Sequence, residues 1–139
     1  MSYQNILVTT AFSEKCGRTL NRAKCLAASC NAKLHLVHFI EPLPAAAFTY
    51  AGAELIDAQR IQAAKEKLAQ IAQELKIPAE NLYLEESLPK AGIVNLAKKL
   101  NVDLIIVGSH GENNAITTLL SSTADGVAHN AACDVLLVK

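Results

Sequence analysis

The stretch GSHGENNAITTLLSST, residues 108–123, holds two glycines three apart, a histidine between them and a run of hydroxyls after them. Gly108 and Gly111 carry no Cβ, so a backbone there can come close to a ligand. Thr117, Thr118, Ser121, Ser122 and Thr123 supply hydroxyls, and the last three stand where a helix should open. Backbone N–H groups and a helix N-terminus attract an anion, so the chemistry on offer is the holding of a phosphate. Phosphate-binding loops commonly bring a lysine. Here lysine and arginine are absent from Leu100 through Val138, and Glu112 lies within the loop. Each unpaired charge of a triphosphate is costly in a partly dry site, whereas a monophosphate asks for less. His110, a divalent metal, Lys15 or Lys90 are the groups left to balance it. The same residues have a plainer use, in which the glycines turn the chain after a strand and the hydroxyls cap the next helix.

Other reactive side chains show less pattern. His35 and His38 are three apart in an apolar run, so in a strand they face opposite sides and cannot share a metal. His35 reads as a satisfied polar residue and His38 as a support for the strand end. Cys16, Cys25, Cys30 and Cys133 form neither a CxxC pair nor a paired Cys/His metal spacing. Cys16 and Cys30 share a helical register with Leu20, Ala23 and Ala27, which makes them small core residues. Cys16, one turn into its helix, is the better candidate for a redox thiol. Ser13 has no evident base, and no carboxylate pair is placed for acid–base work. No catalytic residue and no metal site are expected, and the chain does not read as an efficient enzyme.

The 139 residues suffice for one domain with a real core, taken as 1–139. Thirteen basic side chains balance thirteen acidic ones, which removes the electrostatic case for nucleic acid or an anionic membrane. The apolar runs are of strand length, too short to span a bilayer. The opening MSYQNILVTT lacks the basic and apolar regions of a secretory signal, so a cytoplasmic protein is expected.

Strands are predicted at 4–9, 33–40, 81–86, 102–108 and 133–139, all rich in Val, Ile and Leu. The strand at 81–86 alternates and should expose one face. Between them, Ser13 caps a helix over 14–29 and a second helix runs over 54–76. That second helix buries Ile61, Ala64, Leu68, Ile71 and Leu75 and is stopped by Pro78. Residues 41–52 read as a loop. Pro89 opens a third helix that buries Ile93, Leu96, Ala97 and Leu100, and a fourth runs from about Ser121 to Ala131. Strands alternating with helices imply an α/β fold, a parallel sheet with helices on both faces. Its ligands bind beyond the carboxyl ends of strands where the strand order reverses, here Thr9–Ser13 and Val107–Gly111.

Four segments carry a family resemblance: ILVTTAFSE at 6–14, LHLVHF at 34–39, NVDLIIVGSHG at 101–111 and ACDVLLVK at 132–139. Their order and spacing over almost the whole chain resemble the universal stress protein family. The resemblance implies a single-domain five-stranded parallel sheet of order 3-2-1-4-5, of the adenine nucleotide alpha hydrolase-like kind. It also implies a homodimer built through the last strand, at Val135, Leu136, Leu137 and Val138. Members that bind ATP carry Gly-x2-Gly-x9-Gly-Ser/Thr, and others lack it. Gly108 and Gly111 match, Ser121 replaces the third glycine, and Ser122 matches the hydroxyl. Ala11 stands where binding members have an aspartate.

On this resemblance the nucleotide contacts would be Thr9, Thr10, Ala11, Phe39, Val107, Gly108, His110, Gly111, Ser121, Ser122 and Thr123. The ligand would be ATP or AMP, with Mg2+. Ser121 narrows the phosphate path with its Cβ, and Ala11 removes a carboxylate, while main-chain contacts from Thr10 and Ala11 need no side chain. The implied function is a dimeric stress-response regulator with a degenerate adenine-nucleotide site. The alternatives are an interaction module that meets an unknown protein partner without nucleotide, and an enzyme acting on a small molecule in the same cleft. Some members hydrolyse ATP slowly, and the expectation of no efficient enzyme leaves room for weak hydrolysis of that kind.

Overall fold

Strands β1 (Asn5–Thr9) and β4 (Leu104–Gly108) lie side by side at the middle of the sheet. The computed structural model describes residues 2–10, 16–108 and 122–139. Ile6, Leu7 and Val8 of β1 and Leu104 to Val107 of β4 are all buried, as strands covered on both faces must be. Strand β2 (Lys33–Ile40) flanks β1, β3 (Leu82–Glu86) lies beyond it, and β5 (Asp134–Val138) flanks β4. All four pairings are parallel, in the order β3-β2-β1-β4-β5. The expected sheet is therefore the observed one.

Alternation along the strands divides the core in two. Ile6, Val8, Leu36 and Ile106 pack with Leu20, Ala23 and Ala27 of α1 (Cys16–Cys30) and with Leu68 and Ala72 of α2 (Ala53–Leu75). Leu7, Val37, Phe39 and Ile105 pack with Ile93, Leu96 and Ala97 of α3 (Pro89–Lys99) and with Val127 of α4 (Ser122–Asn130).

Several details differ from the sequence reading. Strand β3 is half-buried over Leu82–Glu85 rather than alternating, because it is an edge strand with less cover. In α2 the buried line is Ala64, Leu68 and Ala72, at steps of four, and Ile61, Ile71 and Leu75 flank it half-buried. Leu100 and Cys30 are also half-buried, and Cys25 is exposed. Cys16 opens α1, but its side chain lies outside the described residues, as does Ser13. Residues 41–52 include a short 3-10 helix, Ala45–Thr49, closed by the Ala47 N–H on the Pro44 carbonyl at 2.9 Å.

Three helices end in the same way. Asn31, Lys76 and Asn101 take φ of 54°, 57° and 55° just past α1, α2 and α3. The next N–H then reaches back five residues: Ala32 to the Ala27 carbonyl, Ile77 to Ala72 and Val102 to Ala97, at 2.8, 2.8 and 3.0 Å. This satisfies carbonyls at the helix end and aims the chain into the next strand. Helix α2 thus stops at Lys76, before Pro78 can act. Asparagine tolerates the left-handed region, and lysine has no such advantage. Lys76→Gly is expected to stabilise the protein by about 1 kcal/mol, read as a rise in the urea midpoint at unchanged slope.

Candidate strand-end site

The strand order reverses between β1 and β4, and Val8 there pairs with Ile106 while Thr9 pairs with Val37. The carboxyl ends of β1 and β4 therefore finish close together, and β2 runs on beside them to Ile40. Thr10, immediately beyond β1, is 5% exposed. Its N–H donates to the Val37 carbonyl at 3.1 Å, and its carbonyl accepts from His38 Nδ1 at 2.6 Å. Since a carbonyl can only accept, Nδ1 carries the proton and the tautomer is set. His38 therefore supports the strand end, as expected from the sequence. The expectation of main-chain contacts from Thr10 narrows accordingly. Its N–H is already engaged by the Val37 carbonyl and cannot also serve a ligand.

Gly108 closes β4 where α1 crosses. A Cβ at Gly108 would lie 3.0 Å from Thr19 Oγ1, and Thr19 is 3% exposed. The glycine thus has a packing role besides any approach to a ligand. Thr19 was not singled out from the sequence, although it stands four residues before Ala23 in the buried register of α1. Val107 is 2% exposed with its side chain in the core, so it can offer only main chain. Phe39 is 8% exposed, and its ring lies against Gly92 of α3. It serves as a wall behind the strand ends. Thr9 is half-buried.

Ser122 opens α4, whose first-turn N–H groups have no partner within the helix and whose dipole favours an anion. Asp125 already occupies that first turn, at 3.2 Å from His129 one turn on. Its carboxylate shares the dipole with any phosphate and repels it, a feature the sequence reading missed. Ala11, Lys15, His110, Gly111 and Ser121 lie outside the described residues, as do the side chains of Ser122 and Thr123. No group of three or more metal-ligating His, Cys, Asp or Glu side chains occurs among the described residues.

His35 lies on the opposite face of β2 from His38 and corrects the sequence reading. Its Nε2 is buried without a partner among the described residues, and its Nδ1 lies 3.4 Å from the Tyr83 hydroxyl. The two rings are 5.8 Å apart. Burial, aided by the Lys33 charge, holds the imidazole below its usual pKa. Above about pH 6.5, the unfolded value, both states are neutral and stability is full. Below it the unfolded chain takes up a proton that the folded chain resists, so stability falls as pH drops toward the folded pKa. His35→Phe is expected to remove that part of the acid sensitivity. Urea midpoints at pH 7 and pH 5 should converge more in the variant than in the wild type.

A parallel sheet of this order, with helices on both faces and open strand ends at the reversal, is the adenine nucleotide alpha hydrolase-like architecture. The model of the universal stress protein family matches residues 2–139, and the chain belongs to that family. It is 38% identical over 141 residues to universal stress protein A homolog 2 of Coxiella burnetii, covering 99% of this chain and 96% of that one. Among solved structures it resembles universal stress protein UspA from Lactobacillus plantarum, with a TM-score of 0.83 and 27% identity over 100% of this chain and 99% of the other. It also resembles a universal stress protein in complex with cAMP, with a TM-score of 0.68 and 26% identity over 100% and 98% of the two chains. Among the described residues no helix is long and apolar enough to cross a membrane.

Proposed function

We propose that this universal stress protein is a cytoplasmic regulator that holds an adenine nucleotide of low charge, such as AMP or cyclic AMP, at the carboxyl ends of β1 and β4. The observation that carries the reading is electrostatic. The anion-seeking end of α4 is flanked by Asp125, and no lysine or arginine follows from Leu100 to Val138. One phosphate can be met by backbone N–H groups and the helix dipole, whereas three need cations that this part of the chain does not bring. The related structure that holds cAMP, a nucleotide with a single phosphate charge, supports the same choice.

The role proposed is binding rather than catalysis, with the nucleotide changing the surface shown to a protein partner. The dimer proposed uses β5, an edge strand whose Val135, Leu136 and Leu137 are half-buried in the single chain. Sedimentation of the purified protein as a monomer at micromolar concentration would overturn the dimer.

Titration calorimetry tests the ligand. AMP and cyclic AMP are expected to bind more tightly than ATP without metal, and Mg2+ is expected to narrow the gap by neutralising the outer phosphates. Failure of all three nucleotides to bind at millimolar concentration would replace this reading with the nucleotide-free interaction module.

A further inference from the structure

The surface between α3 and α4 carries a groove of about 450 Å3. Its floor is apolar, formed by Leu88, Ala91 and Val94, and Leu88 is 63% exposed. Lys90 and Lys98 border it from the same side of α3. Both are exposed, neither has an ion-pair partner among the described residues, and no carboxylate lines the groove. Lys90 is also held in place. A Cβ at Gly126 of α4 would lie 2.6 Å from Lys90 Cδ and 2.7 Å from its Cγ, so the lysine stem lies flat across that glycine. Glycine inside a helix is less favourable than alanine, and here its missing side chain is what gives Lys90 its place. A charged group already settled on the surface loses less freedom on binding.

We propose that this groove docks an extended acidic segment of a partner protein, with two carboxylates four residues apart and an apolar side chain midway between them. Lys98 stands eight helical steps on from Lys90, about 12 Å at 1.5 Å per residue. In an extended peptide, side chains four apart lie on one face at about 13 Å, and the residue between them on that face is two away. The carboxylates then meet Lys90 and Lys98 while the apolar side chain meets Ala91 and Val94. Charge complementarity selects an acidic occupant, and the apolar floor separates a peptide of this pattern from a simple anion. The proposal does not rest on the nucleotide reading: no residue of β1 or β4 lines the groove, and Lys90, offered by the sequence as a counter-charge for phosphate, is the one residue common to both.

The test is fluorescence anisotropy of the full chain at low ionic strength, with the labelled peptide Gly-Ser-Glu-Ser-Leu-Ser-Glu-Ser-Gly. Saturable binding is expected, and it should weaken as salt is added. Lys90→Glu and Lys98→Glu are each expected to weaken it about tenfold, with circular dichroism and melting unchanged. A peptide with serine for leucine should bind several-fold more weakly, and one with lysine for both glutamates should not bind. Absence of saturable binding up to millimolar peptide overturns the proposal, as does binding that both charge reversals leave unchanged. Self-association of the protein that Lys98→Glu abolishes and the peptide fails to compete would assign the groove to a second copy and overturn it equally.

Discussion

Gly92→Val is expected to destabilise the protein by about 3 kcal/mol or more and to disturb the strand-end site at the same time. Gly92 is buried in α3 on the side that faces the sheet. A Cβ there would overlap Phe39 Cε1 and lie 2.9 Å from Cδ1 of the same ring and 2.7 Å from Ser87 Oγ. The phenyl ring cannot retreat easily, because it sits in the core with Val37, Ile93 and Val107. Relief requires α3 to lift from the sheet or Phe39 to leave its rotamer, and either opens the packing that β1, β2, β4, α3 and α4 share. Gly92→Ala is a milder form of the change. It regains about 1 kcal/mol of helix propensity and keeps part of the clash, so its net effect should be smaller. Urea unfolding of both variants measures the difference. If Phe39 walls the nucleotide site, AMP affinity should fall in step with the displacement of its ring. Retention of wild-type stability by the valine variant would mean that α3 can move away from Phe39 at little cost.

Gly111→Val is expected to abolish nucleotide binding, and Ser121→Gly to strengthen it several-fold. Both follow from the family pattern carried by the sequence. Valine would place a branched side chain where, on the proposed reading, the backbone approaches the nucleotide. Glycine at 121 would restore the third glycine of the pattern and remove the Cβ from the phosphate path. If φ is positive there, the change also relieves about 1 kcal/mol, which is several-fold in affinity. Calorimetry with AMP on the wild type and both variants reads the effect directly. An increase in affinity with Gly111→Val would show that the loop holds the nucleotide by side chains and not by backbone.

The sheet was legible because its signals are local and redundant. A strand buried on both faces needs a continuous apolar run, and Leu104–Val107 and Ile6–Val8 supply one each. Pro89 marked the start of α3 correctly, as its fixed φ and missing N–H predict. The end of α2 was less legible. Pro78 is a visible stop, but the helix ends at the left-handed Lys76, and a lysine gives no sign of taking that conformation.

The site divides along the same line. The sequence by itself determined the absence of basic residues from Leu100 to Val138, the two glycines three apart and the departures at Ala11 and Ser121. These are matters of residue type, and they set the ligand charge proposed here without coordinates. Only the tertiary structure decided that the Thr10 N–H is taken by Val37 and its carbonyl by His38, that Thr19 crowds Gly108, and that Lys90 lies along Gly126. Each of these joins residues 27 to 89 positions apart in the chain, on elements whose own patterns say where they are buried but not which atoms they meet. The same holds for His35. Its type allowed a satisfied polar residue, and burial beside Tyr83 of β3 left its Nε2 without a partner among the described residues. Periodicity selects the face of an element, and the contacts across that face follow from how the layers close on one another.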